Sequence, residues 1–212
     1  MAYRPTDKTR AHMTKQRIKL LNAAKSIVSQ DGFNGLTIKK VANQSSLAVG
    51  SVYKHYQSKN HLLEQVYCEL TEQDLLLDHA QIFSSNDPKE QLTTALEQLF
   101  SRALMSDKLS YALFAEPLSE TIEQHRLRFK DQFKQVFIQI IDQGIKQSSF
   151  LNQESHIVAS AIMGTLNEAT LIPLRWQHQQ MPTFERIKLI QQCQQFCLRS
   201  ITYSGDEASF FK

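Results

Sequence analysis

The sequence is poor in the features that indicate a secreted, membrane-spanning or catalytic protein. Its 212 residues include three cysteines, which form no CxxC pair and argue against a disulfide framework. No run approaches the roughly 18 apolar residues of a membrane span, and the polar N-terminus does not resemble a signal peptide. Glycine-rich phosphate loops, HExxH motifs and nucleophile elbows are also missing. These absences predict a cytoplasmic, non-enzymatic protein with no cofactor and no membrane partner.

Glycine and proline are scarce too, at six and five residues. Apolar residues recur at spacings of three and four along most of the chain, which is the period of amphipathic helices. The sequence therefore predicts an all-α protein. Its parts are a three-helix helix-turn-helix domain over 1–57, in which 1–13 form a basic, flexible arm, and a helical domain over 58–212. Helices are expected at about 14–30, 38–45, 48–54, 88–104, 107–115, 119–147, 154–179 and 183–203, with one more starting near 59.

Charge is distributed very unevenly along the chain. Residues 1–60 contain eleven Lys and Arg against two Asp, a net charge of +9, whereas the remainder carries −6. A basic head on an acidic body is typical of a module that binds a polyanion. Charge alone leaves three alternatives open: nucleic acid, an anionic membrane surface, or merely a solvated helix face.

Residues 37–63 combine two short helices with a tight polar turn, which is the pattern of a helix-turn-helix. Thr37 is a good N-cap for the first helix. The second begins with small side chains, which allow its N-terminal end to approach base edges in the major groove. These small residues are Val49, Gly50 and Ser51, and the phosphate donors that follow them are Tyr53, Lys54, His55 and Lys59.

At these positions the chain resembles the TetR family of transcriptional regulators, over about residues 14–67. The matching residues are Gly32-Phe33, Thr37, Val41-Ala42, the segment Leu47–Tyr56, Ser58-Lys59 and Leu62-Leu63. The resemblance implies that Thr37, Tyr53, His55 and Lys59 hold the phosphate backbone. It also implies that the bases are faced by Val49, Gly50, Ser51 and Lys54.

Two positions differ from the family pattern. Ser46 replaces the usual turn glycine, and a serine in a left-handed turn costs about 1 kcal/mol. Ala48 stands before the second helix where the family has its usual small capping residue. An alanine at an N-cap makes the helix about 1 kcal/mol less stable than a serine would.

The resemblance also implies that the C-terminal domain binds an effector and forms a homodimer. The candidate ligand-pocket residues are Phe100, Ala103, Tyr111, Phe114, Phe133, Phe137, Ile162, Leu166 and Asn167. Glu116, Glu168 and Arg175 are additional polar candidates. An ordinary core would use the same apolar residues, because a sequence does not show unfilled volume.

The leading hypothesis is a homodimeric repressor that a small, mostly apolar effector releases from a duplex DNA operator. One alternative has the same fold and binds DNA, but responds to a protein partner instead of a ligand. A helical enzyme or carrier with a basic end is the other alternative. Cys193 and Cys197 lie on one helix face with Cβ atoms about 5–6 Å apart, too far for a disulfide, so free thiols are expected. The histidines show no metal-ligand spacing.

Overall fold

The computed structural model describes residues 6–105, 107–171 and 182–202, and these ranges are helices joined by short connections. For residues 73–78, 102–105, 107, 170 and 171 it describes the main chain alone. The helices are α1 (Asp7–Asp31), α2 (Ile38–Ser45), α3 (Val49–His55), α4 (Lys59–Ile82), α5 (Pro88–Met105), α6 (Asp107–Phe114), α7 (Glu120–Lys146), α8 (Ser155–Leu166), a π-helical segment (Asn167–Leu171) and α9 (Thr183–Thr202). The predicted all-α class is confirmed.

The first helix begins earlier than the sequence predicted. Thr6 caps it by accepting a hydrogen bond from the Thr9 main-chain N–H, and α1 starts at Asp7. The predicted start of this helix at about residue 14 is therefore wrong, because residues 7–13 are helical, and residues 1–5 of the proposed arm lie outside the described chain. The apolar stripe begins only at Ile18, so hydrophobic periodicity could not find two earlier turns that are helical and bury no apolar side chain.

The helix expected over 154–179 also differs from the prediction. The α-helical hydrogen-bond pattern of α8 ends at Leu166 and gives way to a π-helical turn. The change therefore occurs before Pro173, a residue that would interrupt an α-helix and that lies outside the described residues. π-Turns are frequent at functional sites, and this one borders the cavity described below.

A single apolar core joins the helix-turn-helix to the C-terminal helices. Within the N-terminal part, Leu20, Val41 and Val52 are fully buried, one from each of α1, α2 and α3. The helix α4 extends this core, because its Val66 and Tyr67 are buried between α1 and the C-terminal helices. The Tyr67 ring packs on Phe33 and Phe129, so aromatic contacts connect both halves of the molecule.

Candidate nucleic-acid interface and effector cavity

The turn between α2 and α3 is held by main-chain hydrogen bonds around a strained serine. The Thr37 hydroxyl oxygen accepts from the Lys40 N–H at 3.2 Å and starts α2, as predicted. Ser46 then adopts φ 54° and ψ 40°, the left-handed conformation expected where the family pattern has glycine. The N–H of Leu47 donates to the Ala42 carbonyl at 2.9 Å and closes the turn. These bonds set the angle at which α3 leaves α2.

The helix α3 is anchored by one buried side chain and presents its remaining residues outward. Val52 is fully buried, whereas Val49 and Gly50 are exposed and Ser51 is half-buried. A Cβ atom added at Gly50 would meet no atom within 4 Å. Ala48 precedes the helix with extended backbone and makes no side-chain cap, in agreement with the prediction for this position. The N-terminal end of α3 is therefore small and open enough for another molecule to approach closely.

Polar and basic groups surround this open end. Tyr53 is 54% exposed, and Lys54 and Lys59 project into solvent. Lys59 is the first residue of α4, where the Ser58 hydroxyl caps the helix by accepting from the His61 N–H at 3.1 Å. Thr37 is exposed as well. Most of the predicted DNA-contacting side chains therefore lie on the surface around α3, where an extended anion could reach them.

His55 differs from the other candidates because it is half-buried between α3 and α1. Its Nε2 lies 3.3 Å from Oε1 of Gln16. Burial lowers the pKa of His55, and the nearby charges of Arg17 and Lys54 lower it further. Gln16, which fixes the ring against α1, was not predicted from the sequence to take part in this surface. His55 therefore connects α3 to α1 through Gln16.

A buried carboxylate connects the helix-turn-helix to the C-terminal helices. The two oxygens of Glu116 accept hydrogen bonds from the N–H groups of Phe33, at 2.9 Å, and Asn34, at 2.8 Å. Gly32, before them, has φ 74° and ψ 178°, a positive φ that glycine adopts readily and other residues rarely do. A Cβ atom at Gly32 would lie 2.9 Å from Glu116 Oε2. This glycine allows the chain to turn both N–H groups toward the carboxylate.

Arg126 of α7 binds the main chain on the C-terminal side of this contact, around Glu116 itself. Its buried guanidinium donates to the main-chain oxygens of Ala112, Leu113 and Glu116 at 2.7 to 3.1 Å and pairs with Glu123 at 2.6 Å. These are carbonyls at the C-terminal end of α6, where helix hydrogen bonding runs out. We name Glu116 and Arg126 together the interdomain clamp. Glu116 was a candidate for orienting a ligand, but its carboxylate is occupied by Phe33 and Asn34.

The predicted pocket residues do not come together in one place. Phe114, Leu166 and Asn167 line a cavity of about 430 Å³ between α6, α7 and α8. Phe133 and Phe137 border a void of only about 10 Å³, while Phe100 and Ile162 are closed into the core. Tyr111 is half-buried and lines neither space, and the Ala103 side chain lies outside the described residues, as does Arg175. Lys130 and Lys134, which line the cavity of about 430 Å³, were not predicted from the sequence.

Cys193 and Cys197 are free, buried thiols, as predicted. Burial raises the pKa of Cys197 to about 12 and raises that of Cys193 as well. Among the described residues no group of three His, Cys, Asp or Glu side chains is arranged to hold a metal ion. In the same part of the chain, none of the helices combines the length and apolar character that crossing a bilayer requires.

Comparison with known proteins identifies both halves of the chain. Residues 20–66 match the model of the bacterial regulatory proteins of the tetR family, and residues 85–171 match that of the tetracyclin repressor-like C-terminal domain. The transcriptional repressor KstR2 of Rhodococcus jostii is 20% identical over 176 residues, which is 81% of this chain and 84% of the repressor.

Solved structures share the fold at low sequence identity. A protein from Saccharomonospora viridis, solved with choline, has a TM-score of 0.77 at 18% identity, covering 90% of this chain and all of that one. The regulator FadR of Bacillus subtilis, solved with stearoyl-CoA, has a TM-score of 0.69 at 17% identity, covering 85% and 97%. Two family models that match successive parts of the chain, a repressor related over most of its length and this shared architecture agree: the chain belongs to the tetR family of transcriptional regulators.

Proposed function

We propose that the protein is a repressor that binds its operator as a homodimer and is released when a small molecule occupies the C-terminal domain. This proposal is carried by the N-terminal end of α3, which is exposed, has small side chains and is surrounded by basic residues. In this proposal residues 1–57 form the domain that binds DNA and residues 58–212 form the domain that binds the effector. The helix α4 begins at the boundary between them.

The exposure of each residue supports a division of contacts on DNA. Val49, Gly50, Ser51 and Lys54 face the bases, with the Val49 methyl groups suited to a thymine methyl and Ser51 to a base edge. Thr37, Tyr53 and Lys59 donate to phosphates on either side and fix the register of α3 in the groove. His55 is assigned to the phosphates by resemblance, while its bond to Gln16 gives it a second role in holding α3.

Exposed apolar side chains on α8 and α9 support a homodimer. Ile157 is 69%, Phe184 76% and Phe196 62% exposed, and Ala161 and Gly164 share the outer face of α8 with Ile157. Large apolar groups grouped on neighbouring helices mark an interaction surface. A two-fold axis through this surface would present two copies of α3 to successive major grooves, about 34–36 Å apart on the duplex.

Regulation by a ligand is supported by relatives and by the cavity. FadR was solved with stearoyl-CoA and the Saccharomonospora viridis protein with choline, so this fold holds small molecules of different chemistry. The cavity of about 430 Å³ lies within the size range of ligand sites. It borders α7, which carries Arg126, and Arg126 donates to the main-chain oxygen of Glu116 in the interdomain clamp. A ligand that shifts α7 would therefore move Glu116 against Phe33 and Asn34 and change the orientation of the helix-turn-helix.

The test begins with selection of bound sequences from a random duplex library. Fluorescence anisotropy then measures Kd on the selected duplex and on a scrambled duplex at several salt concentrations. We expect Lys59→Ala to weaken binding to both duplexes and to reduce the slope of log Kd against log salt by about one. Tyr53→Phe should weaken both equally, and Ser51→Ala should act mainly on the selected duplex.

Lys89→Ala on α5 removes the same charge far from α3 and should change neither Kd. If no duplex is enriched, or if binding does not depend on salt, the protein does not act as proposed. If DNA is bound but no small molecule changes its affinity, the alternative of control by a protein partner takes the place of control by a ligand.

A further inference from the structure

The cavity between α6, α7 and α8 has an apolar floor and a basic wall. Phe114 and Leu166 form its floor and are buried, and Met163 lies beside them. Lys130 and Lys134, one turn apart on α7, form the wall. Ser160 and Asn167 supply neutral polar groups on the opposite side. The cavity therefore separates a region for hydrocarbon from a region for a charged group.

The two lysines are not equivalent. The Lys134 ammonium pairs with the Asp131 carboxylate at 3.3 Å, so its charge is already balanced. Lys130 is half-buried, and no described carboxylate lies within ion-pair distance of its ammonium. Burial lowers the pKa of Lys130, the Arg126 charge lowers it further, and the Glu123 carboxylate, which acts in the opposite direction, is itself paired with Arg126 at 2.6 Å. An unpaired ammonium removed from water is unfavourable, and an anion placed beside it would relieve that cost.

A ligand cation would meet the opposite situation. It would face the Lys130 ammonium, while the Asp131 carboxylate in the same wall is already engaged by Lys134. A neutral apolar ligand would fill the floor but leave Lys130 unpaired. Charge and shape therefore favour a single class of occupant, a molecule with a hydrocarbon body and an anionic end.

We propose that this cavity binds an amphipathic anion, whose carboxylate or phosphate group pairs with Lys130 and whose hydrocarbon part covers Phe114, Met163 and Leu166. The inference rests on the proposed function only where it connects this ligand to release of DNA. That connection is short, because Lys130 follows Arg126 by one helical turn and Arg126 holds the interdomain clamp. An anion bound there would compete with the α6 carbonyls for the positive charge of this turn.

Calorimetric titration of the full chain with decanoate, 1-decanol and decyltrimethylammonium tests the proposal directly. The three probes share one alkyl chain and differ in charge. We expect decanoate to bind at least about tenfold more tightly than the alcohol, because a charge-assisted bond replaces an unpaired ammonium. The cation should bind most weakly. Lys130→Gln should bring decanoate and the alcohol to within about twofold of each other.

Lys146→Gln removes a lysine from the exposed end of the same helix and should leave all three affinities unchanged. Lys130→Arg keeps the charge and should keep the preference for decanoate, which separates loss of charge from loss of folding. Equal affinities for the three probes, no measurable binding of decanoate, or a preference that survives in Lys130→Gln would overturn the proposal. Operator affinity, measured separately, reports on the proposed function. Binding of decanoate through Lys130 without release of DNA supports the site and contradicts its regulatory role.

Discussion

At the scale of single residues, Glu116 makes the most consequential contact of the chain. Its carboxylate accepts two main-chain N–H groups from a loop 82 and 83 residues away in sequence. Because these are charge-assisted bonds made in a buried place, we expect Glu116→Gln to lower the free energy of unfolding by about 1.5–3 kcal/mol. Urea denaturation measures the loss. Glu97→Gln changes an exposed glutamate on α5 and should have little effect; equal losses in both variants would contradict the clamp.

His55 gives a second expectation at this scale, in the dependence of stability on pH. Its pKa is lowered in the folded protein, so below a pH of about 6.5 the unfolded chain binds a proton that the folded chain does not. Stability should fall as the pH falls through this range. His55→Gln should reduce the difference between unfolding free energies at pH 7.5 and pH 5.5. His12→Gln, at an exposed position of α1, is the matched control, and an unchanged difference in His55→Gln would refute the argument.

At the scale of elements, one substitution in α3 should change the stability of the fold and the affinity for DNA in opposite directions. Gly50 lies inside the helix with open space around it, so Gly50→Ala should stabilise the fold by about 0.5–1 kcal/mol. The same methyl group would stand between α3 and the base edges, and operator affinity should fall. Thermal unfolding and anisotropy measure the two effects. A variant that gains stability and keeps its full affinity for the selected duplex would show that Gly50 does not face the bases.

The elements also show where sequence is sufficient. Caps are local, so Thr37 predicted the start of α2 correctly, and the strained Ser46 followed from a missing glycine. Glu116 was misinterpreted because its partners are remote in sequence. Arg126 did leave a signal, since it lies on the inward stripe of α7 with Ile122 and Phe129, where a charged residue needs buried acceptors.

Only some of the residues that line the cavity could be predicted, because the cavity too depends on contacts between residues that are remote in sequence. Phe114 and Phe133 are both buried aromatic residues at helical spacing, yet one borders a space of ligand size and the other borders almost none. Whether neighbouring side chains fill the volume between them depends on how three helices pack, which local patterns do not determine. Lys130 would have been recognisable only with the knowledge that its face of α7 is turned toward α8.

At the scale of the whole molecule, the exposed apolar residues of α8 and α9 predict that the protein is a dimer through these helices. We expect the double substitution Ile157→Glu and Phe196→Glu to raise the dimer dissociation constant at least about tenfold, because a two-fold interface buries each position twice. Light scattering after gel filtration measures the mass. Met13→Glu replaces an exposed apolar residue of α1 and should remain dimeric. A double variant that keeps the dimer mass would place the interface elsewhere.

The helix-turn-helix is attached to the rest of the molecule over a broad face, because α1 packs on both α4 and α6 while the Glu116 carboxylate holds the N–H groups of Phe33 and Asn34. A body held over such an area does not swing freely, and it follows the helices on which it is seated. A ligand that displaces α4 or α6 would therefore carry the whole helix-turn-helix with it, and the spacing between the two copies of α3 in a dimer would change without any change inside the DNA-binding domain.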